Sequence, residues 1–538
     1  MRRPVASLIP PVPLFRNRLQ AAALAGLFLL STPVAAAPST GETIRLLEQS
    51  TFGATPKLIE HVREVGFDAY LQEQFSAPAS APPQADPWPD RVPADCDATC
   101  RRDHYSMYPL QVRFFRNALT GQDQLRQRVA FALNQIFVTS ALDGALRQPA
   151  RMWPYLEILE RQAFGNFRDL MKEVTLNPAM GRYLDMVGNK ANAPNENYAR
   201  ELLQLFTVGL NQLNENGTEK RDAQGNAIPT YSQDTISDFA RVFTGWVLAP
   251  AIATGTANYR DPMVPGVARN HDAGEKTLLR GKVLAAGGTA ESDLEAALYN
   301  IFADPNVAPF VSKQLIQHLV TSNPPPAYVA RVARVFKRSQ GDMKATVRAI
   351  LLDPVARDTT PPKSFGALRE PVLWITQLLR SFEVDDTTTD FVLGESYLPA
   401  DSRMGEDVYR APSVFNFFPP DQTTPSGASL GPEFALSSTT AVYARSNLAY
   451  QLVYQKMPTT ANRPKGTWID LTRWQRLAAD PRKLVKALDK LMMHGTMPAG
   501  MRATLLKQLR TIPQADSLGR VREAVYLTAT SPQYQIAR

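Results

Sequence analysis

Apolar residues recur every three to four positions along most of the chain, the spacing that lays them on one face of a helix. Helical periods run over 122–141, 194–213, 232–248, 307–321, 326–338, 369–382, 433–456, 480–493 and 518–529. Several of these helices are expected to stop at Asn177-Pro178, Asp304-Pro305 and Asp353-Pro354, because proline drives its predecessor out of the helical region. Strand signals are sparse. Asn216-Gly217 and Gly225-Asn226 favour tight turns within 214–231, and TLLRGKVL (277–284) reads as a short hairpin around Arg280-Gly281. Residues 77–99 and 411–432 read as irregular loops. The pattern predicts a mainly α, multi-helix globular protein with a few short β-hairpins inserted between helices.

The first 36 residues depart from this pattern. Arg2, Arg3, Arg16 and Arg18 precede a short apolar run, LQAAALAGLFLL (19–30), and then STPVAAAP, where Val34 and Ala36 suit the small-residue positions before a cut. Residues 1–36 therefore read as a Sec-type signal peptide, with the mature chain starting near Ala37 and residing in the periplasm or outside the cell. No later segment has the run of apolar residues a membrane helix needs, so no transmembrane segment is expected after cleavage. Residues 37–538 are expected to form a single large helical domain, any division into two lobes falling near 355–368.

Charge matters only after the leader is discounted. The chain carries 59 Lys plus Arg against 51 Asp plus Glu, and four arginines lie in the leader, leaving 55 against 51. So mild an excess, in an exported chain, excludes nucleic acid as a partner class.

The stretch NENYARELLQLFTVGL (195–210) poses the sharpest question. On a helical projection Glu196, Asn197, Arg200, Glu201, Gln204 and Thr207 share one face, while Tyr198, Leu202, Leu203, Leu205, Phe206 and Leu210 share the other, with Val208 the exception. The apolar face belongs to the core. The polar face is either solvated or the wall of a site.

Elsewhere the candidate chemistry is thin. Cys96 and Cys100 are the only cysteines, and in an oxidising compartment they read as a local disulfide, closing a loop for about 2 kcal/mol. His104 extends them to a Cys, Cys, His spacing that would suit a metal, without a fourth ligand. No HExxH, phosphate loop or GxGxxG is present, so no cofactor and no metal is named by a motif. Gly427-Ala428-Ser429-Leu430-Gly431 fits GxSxG, but PPDQTTPS before it cannot be the central strand of a nucleophile elbow. His318 and His494 sit in apolar helical settings and read as packed side chains. His271, beside Asp272 in the loop RNHDAGEK, has the makings of an acid–base or metal-ligating group.

Several segments together resemble a bacterial family catalogued as domain of unknown function 1800. The central block is NPAMGRYLDMVGNKANAPNENYARELLQLFTVGLNQLNENG, followed by IPTYSQDTISDFARVFTGW and HDAGEK; LLEQSTFGATP, QLRQRVAFALNQIFV, DPNVAPFVSKQLIQHLV, APSVFNFFPP and SPQYQIAR extend the likeness to most of residues 41–538. The resemblance implies an exported, largely helical protein with no catalytic residues to carry over, often encoded beside another exported family. Two functions are open. The first is an envelope protein that binds or assembles with an exported protein partner. The second is a secreted or periplasmic hydrolase whose catalytic candidates are Glu196, Arg200, Glu201, His271 and Asp272, with Asp185, Asp234 and Arg241 as neighbours.

Overall fold

The three X-Pro pairs act as joints rather than plain stops. Asn177 ends the helix Phe167–Leu176 and its side chain then accepts from Ala179 N at 2.8 Å to cap Pro178–Tyr183. Asp353 does the same between Met343–Leu352 and Pro354–Arg357, accepting from Val355 N at 2.9 Å. Asp304 comes after Ala290–Phe302 and accepts from Asn306 N ahead of Val307–Leu319. A short carboxylate or amide satisfies the new helix's first amide groups just where proline forbids the old helix to continue.

A computed structural model describes residues 37–83, 90–251, 256–362, 364–391, 393, 403–457, 459 and 464–538. The leader expectation, residues 1–36, lies outside them. Residues 38–538 form one compact unit, mostly of helices, with long irregular connections at 208–232 and 243–289. The predicted helices are present, trimmed at their ends, as Gln124–Ile136, Gln233–Val242, Val307–Leu319, Pro326–Arg338, Pro371–Ser381, Thr439–Tyr454, Pro481–Met493 and Ser517–Ala529. Strands are two residues long. Lys276–Thr277 pairs antiparallel with Val283–Leu284 through a turn in which Arg280 and Gly281 both have positive φ, as TLLRGKVL predicts. Residues 211–229 make only isolated antiparallel bridges. Ala367–Leu368 pairs with Ile536–Ala537, fastening the C-terminal segment to the middle of the chain. Among the described residues no helix is long and apolar enough to cross a membrane.

One continuous apolar core runs from Ile44 to Tyr534, with Phe137 packed against both Phe206 (5.2 Å) and Phe167 (6.0 Å). It receives the apolar side of the 195–210 stretch, but not as a plain α-helix. Asn197–Glu201 is α-helical and Leu202–Thr207 is a π turn, closed by Val208 N to Leu203 O. The wider turn shifts the helical phase of the residues after it. Val208, the exception on the projection, is fully buried, and Leu210, expected in the core, is 54% exposed. Gly209 ends the element at φ +75°, with Phe310 filling the space a side chain would need.

Cys96 and Cys100 form a disulfide with Cα atoms 5.3 Å apart. Ser429 lies in a tight turn, its carbonyl accepting from Thr424 N at 2.8 Å, with neither strand before it nor α-helix after it. GxSxG is not an elbow here.

Candidate functional site

The polar face of the 195–210 element is partly covered by protein, and Glu196 finds its partners across it on the helix Gln233–Val242. Glu196 accepts from Arg200 (2.7 Å), from Gln233 (2.8 and 3.0 Å) and from Ser237 (2.7 Å). The Ser237 hydroxyl does most to hold its carboxyl below the usual range, against a smaller opposing effect of burial, with Gln233 and Arg200 adding to the lowering. Asn197 donates to Asp185 at 2.7 Å. Glu201, at the start of the π turn, differs: its Oε2 is buried without a partner, and burial raises its carboxyl above the usual range against the pull of Arg200.

His271 and Asp272 join a different network at the other end of the same helix. Asp272 receives a two-pronged bond from Arg241 (2.9 and 3.1 Å), which also donates to Asp238 (2.6 Å). The Arg241 bond holds Asp272 below the usual carboxylate range. His271 is 8% exposed; its Nδ1 faces the Thr244 carbonyl at 3.0 Å and its Nε2 faces Asp293 at 3.2 Å. Lys276, 1% exposed, donates to the same Asp293 oxygen at 2.8 Å and to the carbonyls of Asp272 and Gly274. Gly245, at φ +88°, lets the backbone pass within about a side chain's width of His271. Gln233 and Arg241 are eight positions apart, about 12 Å along a helix, so the Glu196 and Asp272 clusters are separate. Among the described residues, no group of three or more His, Cys, Asp or Glu has metal-holding geometry.

Two small cavities, each about 50 Å³, lie elsewhere and share Gln317, His318 and Glu433 as walls. One, called the inner cavity, is bounded in part by Arg45, Arg128 and Gln377, and the other, called the outer, by Gln135, Gln314 and Asn416 together with Phe415 and Phe418. Such a volume holds a few waters or one small functional group. The walls carry Glu370 and Glu433, which sequence reasoning missed, and Glu406 interacts with Glu370 without lining either cavity. Glu370 caps the helix Pro371–Ser381 from outside and accepts from Gln135 at 2.5 Å. Glu406 accepts from Val372 N at 2.7 Å, and burial, then the charge of Glu370 and a carboxyl–carboxyl bond to it, raise its carboxyl well above the usual range. Glu433 accepts from the Ser322 hydroxyl at 3.0 and 3.2 Å, and burial raises it to about 7, with Glu370 adding to the rise. His318 moves the other way. Burial lowers its imidazole to about 4, with Glu370 resisting and Arg128 assisting. It keeps some accessible surface because it lines both cavities.

The inner rim is braced by ions. Glu48 accepts two bonds of 2.8 Å from Arg369, and His494 Nε2 lies 2.9 Å away. Burial raises Glu48, but Arg369 and then His494 more than offset it and bring the carboxyl to about 2. His494, read from sequence as simply packed, ends Pro481–Met493 in the left-handed conformation and presents its ring to Glu48.

The sequence profile described as DUF1800, protein of unknown function, matches residues 45–536. The chain belongs to the DUF1800 family. Comparison with curated proteins and with solved structures returned no match. To the cavity walls LLEQSTFGATP contributes Glu48 and Gly53, QLRQRVAFALNQIFV contributes Arg128 and Gln135, and DPNVAPFVSKQLIQHLV contributes Gln314 and His318. APSVFNFFPP contributes Phe415 and Asn416, and SPQYQIAR contributes Arg538. Five segments distant in sequence meet at these walls.

Proposed function

We propose that this DUF1800 protein is exported and acts by non-covalent recognition, holding a polar group of a ligand or exported partner in the outer cavity lined by Phe415. One observation carries the reading: Gln135 Oε1, Gln314 Oε1 and Asn416 Nδ2 are buried without partners, and all three residues line that cavity. The amide nitrogens of Gln135 and Gln314 are engaged by Glu370 and by the Leu205 carbonyl, so their oxygens are the atoms left over. Two acceptors and one donor beside an aromatic ring complement an amide-like group. Buried polar atoms left unpaired cost about 1–3 kcal/mol each, a cost that a matching ligand removes. Export is supported by the leader pattern and by the Cys96–Cys100 disulfide, which suits an oxidising compartment. The charged residues of the central block then serve as scaffold.

The test has two parts. N-terminal sequencing of the protein from the envelope fraction is expected to begin near Ala37; a cytoplasmic chain with its leader intact overturns export. Thermal melts of the mature protein with acetamide and N-methylacetamide are expected to show a saturable rise, lost in Gln314→Leu; no rise, or an equal rise in the variant, overturns recognition. A hydrolase is the second reading, favoured by Glu433 alone, whose carboxyl at about 7 suits a general acid. Glu433→Gln would then abolish turnover of a chromogenic ester or amide.

A further inference from the structure

Three residues that line the inner cavity carry buried donors with nothing to donate to. Arg128 is 2% exposed, and of its guanidinium nitrogens only Nη2 is engaged, by the His318 carbonyl; Nε and Nη1 have no partner among the described residues. Arg45, 6% exposed, leaves Nη1 unpartnered, and Gln377, 3% exposed, leaves Nε2. All three residues line the same space. The orientation of the Gln377 amide is fixed by its oxygen, which accepts from Ala54 N at 3.2 Å. The acidic neighbours do not supply the missing acceptors: Glu48 is bound by Arg369, with His494 Nε2 at 2.9 Å, Glu370 accepts from Gln135 and Glu433 from Ser322.

Buried guanidinium nitrogens without acceptors are costly, since neither water nor protein replaces their lost hydrogen bonds, even where carboxylates such as Glu370 stand near Arg128. The unmatched atoms are all donors, which excludes a cation or an apolar group as the natural occupant. We infer that the inner cavity is a subsite for a single carboxylate, held by Arg128 and Arg45 with the Gln377 amide as a third donor. A carboxylate suits it better than a phosphate on two counts. The space is small, and the nearby Glu370 would repel a second negative charge. Glu433 can also turn its proton toward a carboxylate oxygen while it remains neutral. The assignment deepens the recognition reading and rests on it, because the two cavities share His318 and Glu433 as a wall: a ligand offering an amide to one and a carboxylate to the other has the chemistry of a peptide's C-terminal end.

The experiment is a thermal-shift and calorimetric titration of the full mature protein with sodium formate, sodium acetate and sodium phosphate, against sodium chloride at matched ionic strength. Acetyl-Gly-Gly with a free and with an amidated C-terminus separates a chain end from a free small acid as the source. A saturable response to formate and acetate, absent with chloride, is expected. Arg128→Gln should weaken it by about tenfold or more, the loss of charge-assisted bonds. Because that variant is buried, Gln377→Glu provides a second arm. It keeps the oxygen that faces Ala54 N and puts a carboxylate where the free donor was, so it should melt higher than wild type without ligand and no longer respond to acetate. Gln314→Leu, in the outer cavity, should leave the acetate response intact, so loss of amide recognition and loss of the carboxylate subsite are read separately. The inference is overturned by a response no larger than that to chloride, by a response to phosphate alone, by an undiminished response in both inner-cavity variants, or by a response that appears only after Arg538 is removed, which would make the chain's own terminus the occupant.

Discussion

Glu433 and His318 face each other's cavities from one shared wall, and burial drives them in opposite directions, the carboxyl up to about 7 and the imidazole down to about 4. Both are therefore uncharged across mildly acidic pH. Glu433 has a folded-state value above its ordinary 4.5, so its contribution to stability is complete below 4.5 and disappears as pH rises through 7. His318 has a folded-state value below its ordinary 6.5, so its contribution is complete above 6.5 and disappears as pH falls through 4. Each effect is about 3 kcal/mol, and between 4.5 and 6.5 they oppose. Urea unfolding of Glu433→Gln should show stability climbing with pH over that interval, and His318→Asn should show it falling, where the wild type is comparatively flat.

The Glu48, Arg369 and His494 brace has a different signature. Glu48 sits at about 2, below its ordinary 4.5, so its stabilisation is present above 4.5 and is lost as pH falls through 2. Glu48→Gln should cost about 3–5 kcal/mol at neutral pH by leaving Arg369 buried without its partner, and should flatten the acid limb of the stability curve. Denaturant midpoints at pH 7 and pH 3 check both.

Gly53 allows the turn after the helix Thr40–Ser50 to lie against Pro371–Ser381. A Cβ there would fall 2.7 Å from the Gln377 Cα, and φ is +141°. Gly53→Ala should destabilise by about 2–4 kcal/mol, combining backbone strain with overpacking. It should also disturb acetate binding through Gln377. A thermal melt with and without acetate measures the two effects together.

Lys276 and Asp293 are both buried, and His271 completes their contact. Asp293→Asn should cost about 3–5 kcal/mol, whereas Lys276→Met combined with Asp293→Leu should recover a large part of the loss. The Glu196–Arg200 pair is half exposed, and breaking that ion pair alone by Arg200→Gln should cost about 0.5 kcal/mol or less. A double-mutant cycle on each pair gives the comparison.

Glu201 is the one catalytic candidate of the central block with an unmatched buried oxygen. Since burial raises its carboxyl, ionisation weakens the fold as pH rises, and Glu201→Gln should be neutral to stabilising at pH 7. If cells carrying that variant lose function while the protein melts no lower, Glu201 acts outside the scaffold; unchanged function places it within.

The helical class, the helix stops at Asn177-Pro178 and Asp353-Pro354, the Arg280-Gly281 hairpin and the Cys96–Cys100 pairing were all legible in the sequence. Each rests on local physics, whether periodicity, proline sterics, turn residues or a short loop. The 195–210 stretch marks where that reading ends. Its amphipathic pattern identified a core face, yet a π turn, visible only in three dimensions, carried Val208 inward and Leu210 outward. Its polar partners, Gln233 and Ser237 instead of His271, were chosen by how the next helix crosses it.

The cavity pair was out of reach for the same reason. Arg128, Glu370, Glu406 and Glu433 read singly as ordinary charged residues, because burial and pairing, not residue type, set their chemistry. The sequence by itself determined where helices begin and end and which faces are apolar. Only the tertiary structure, by removing particular polar atoms from water and deciding which of them find partners, made Arg45, Arg128 and Gln377 into a set of donors waiting for an acceptor.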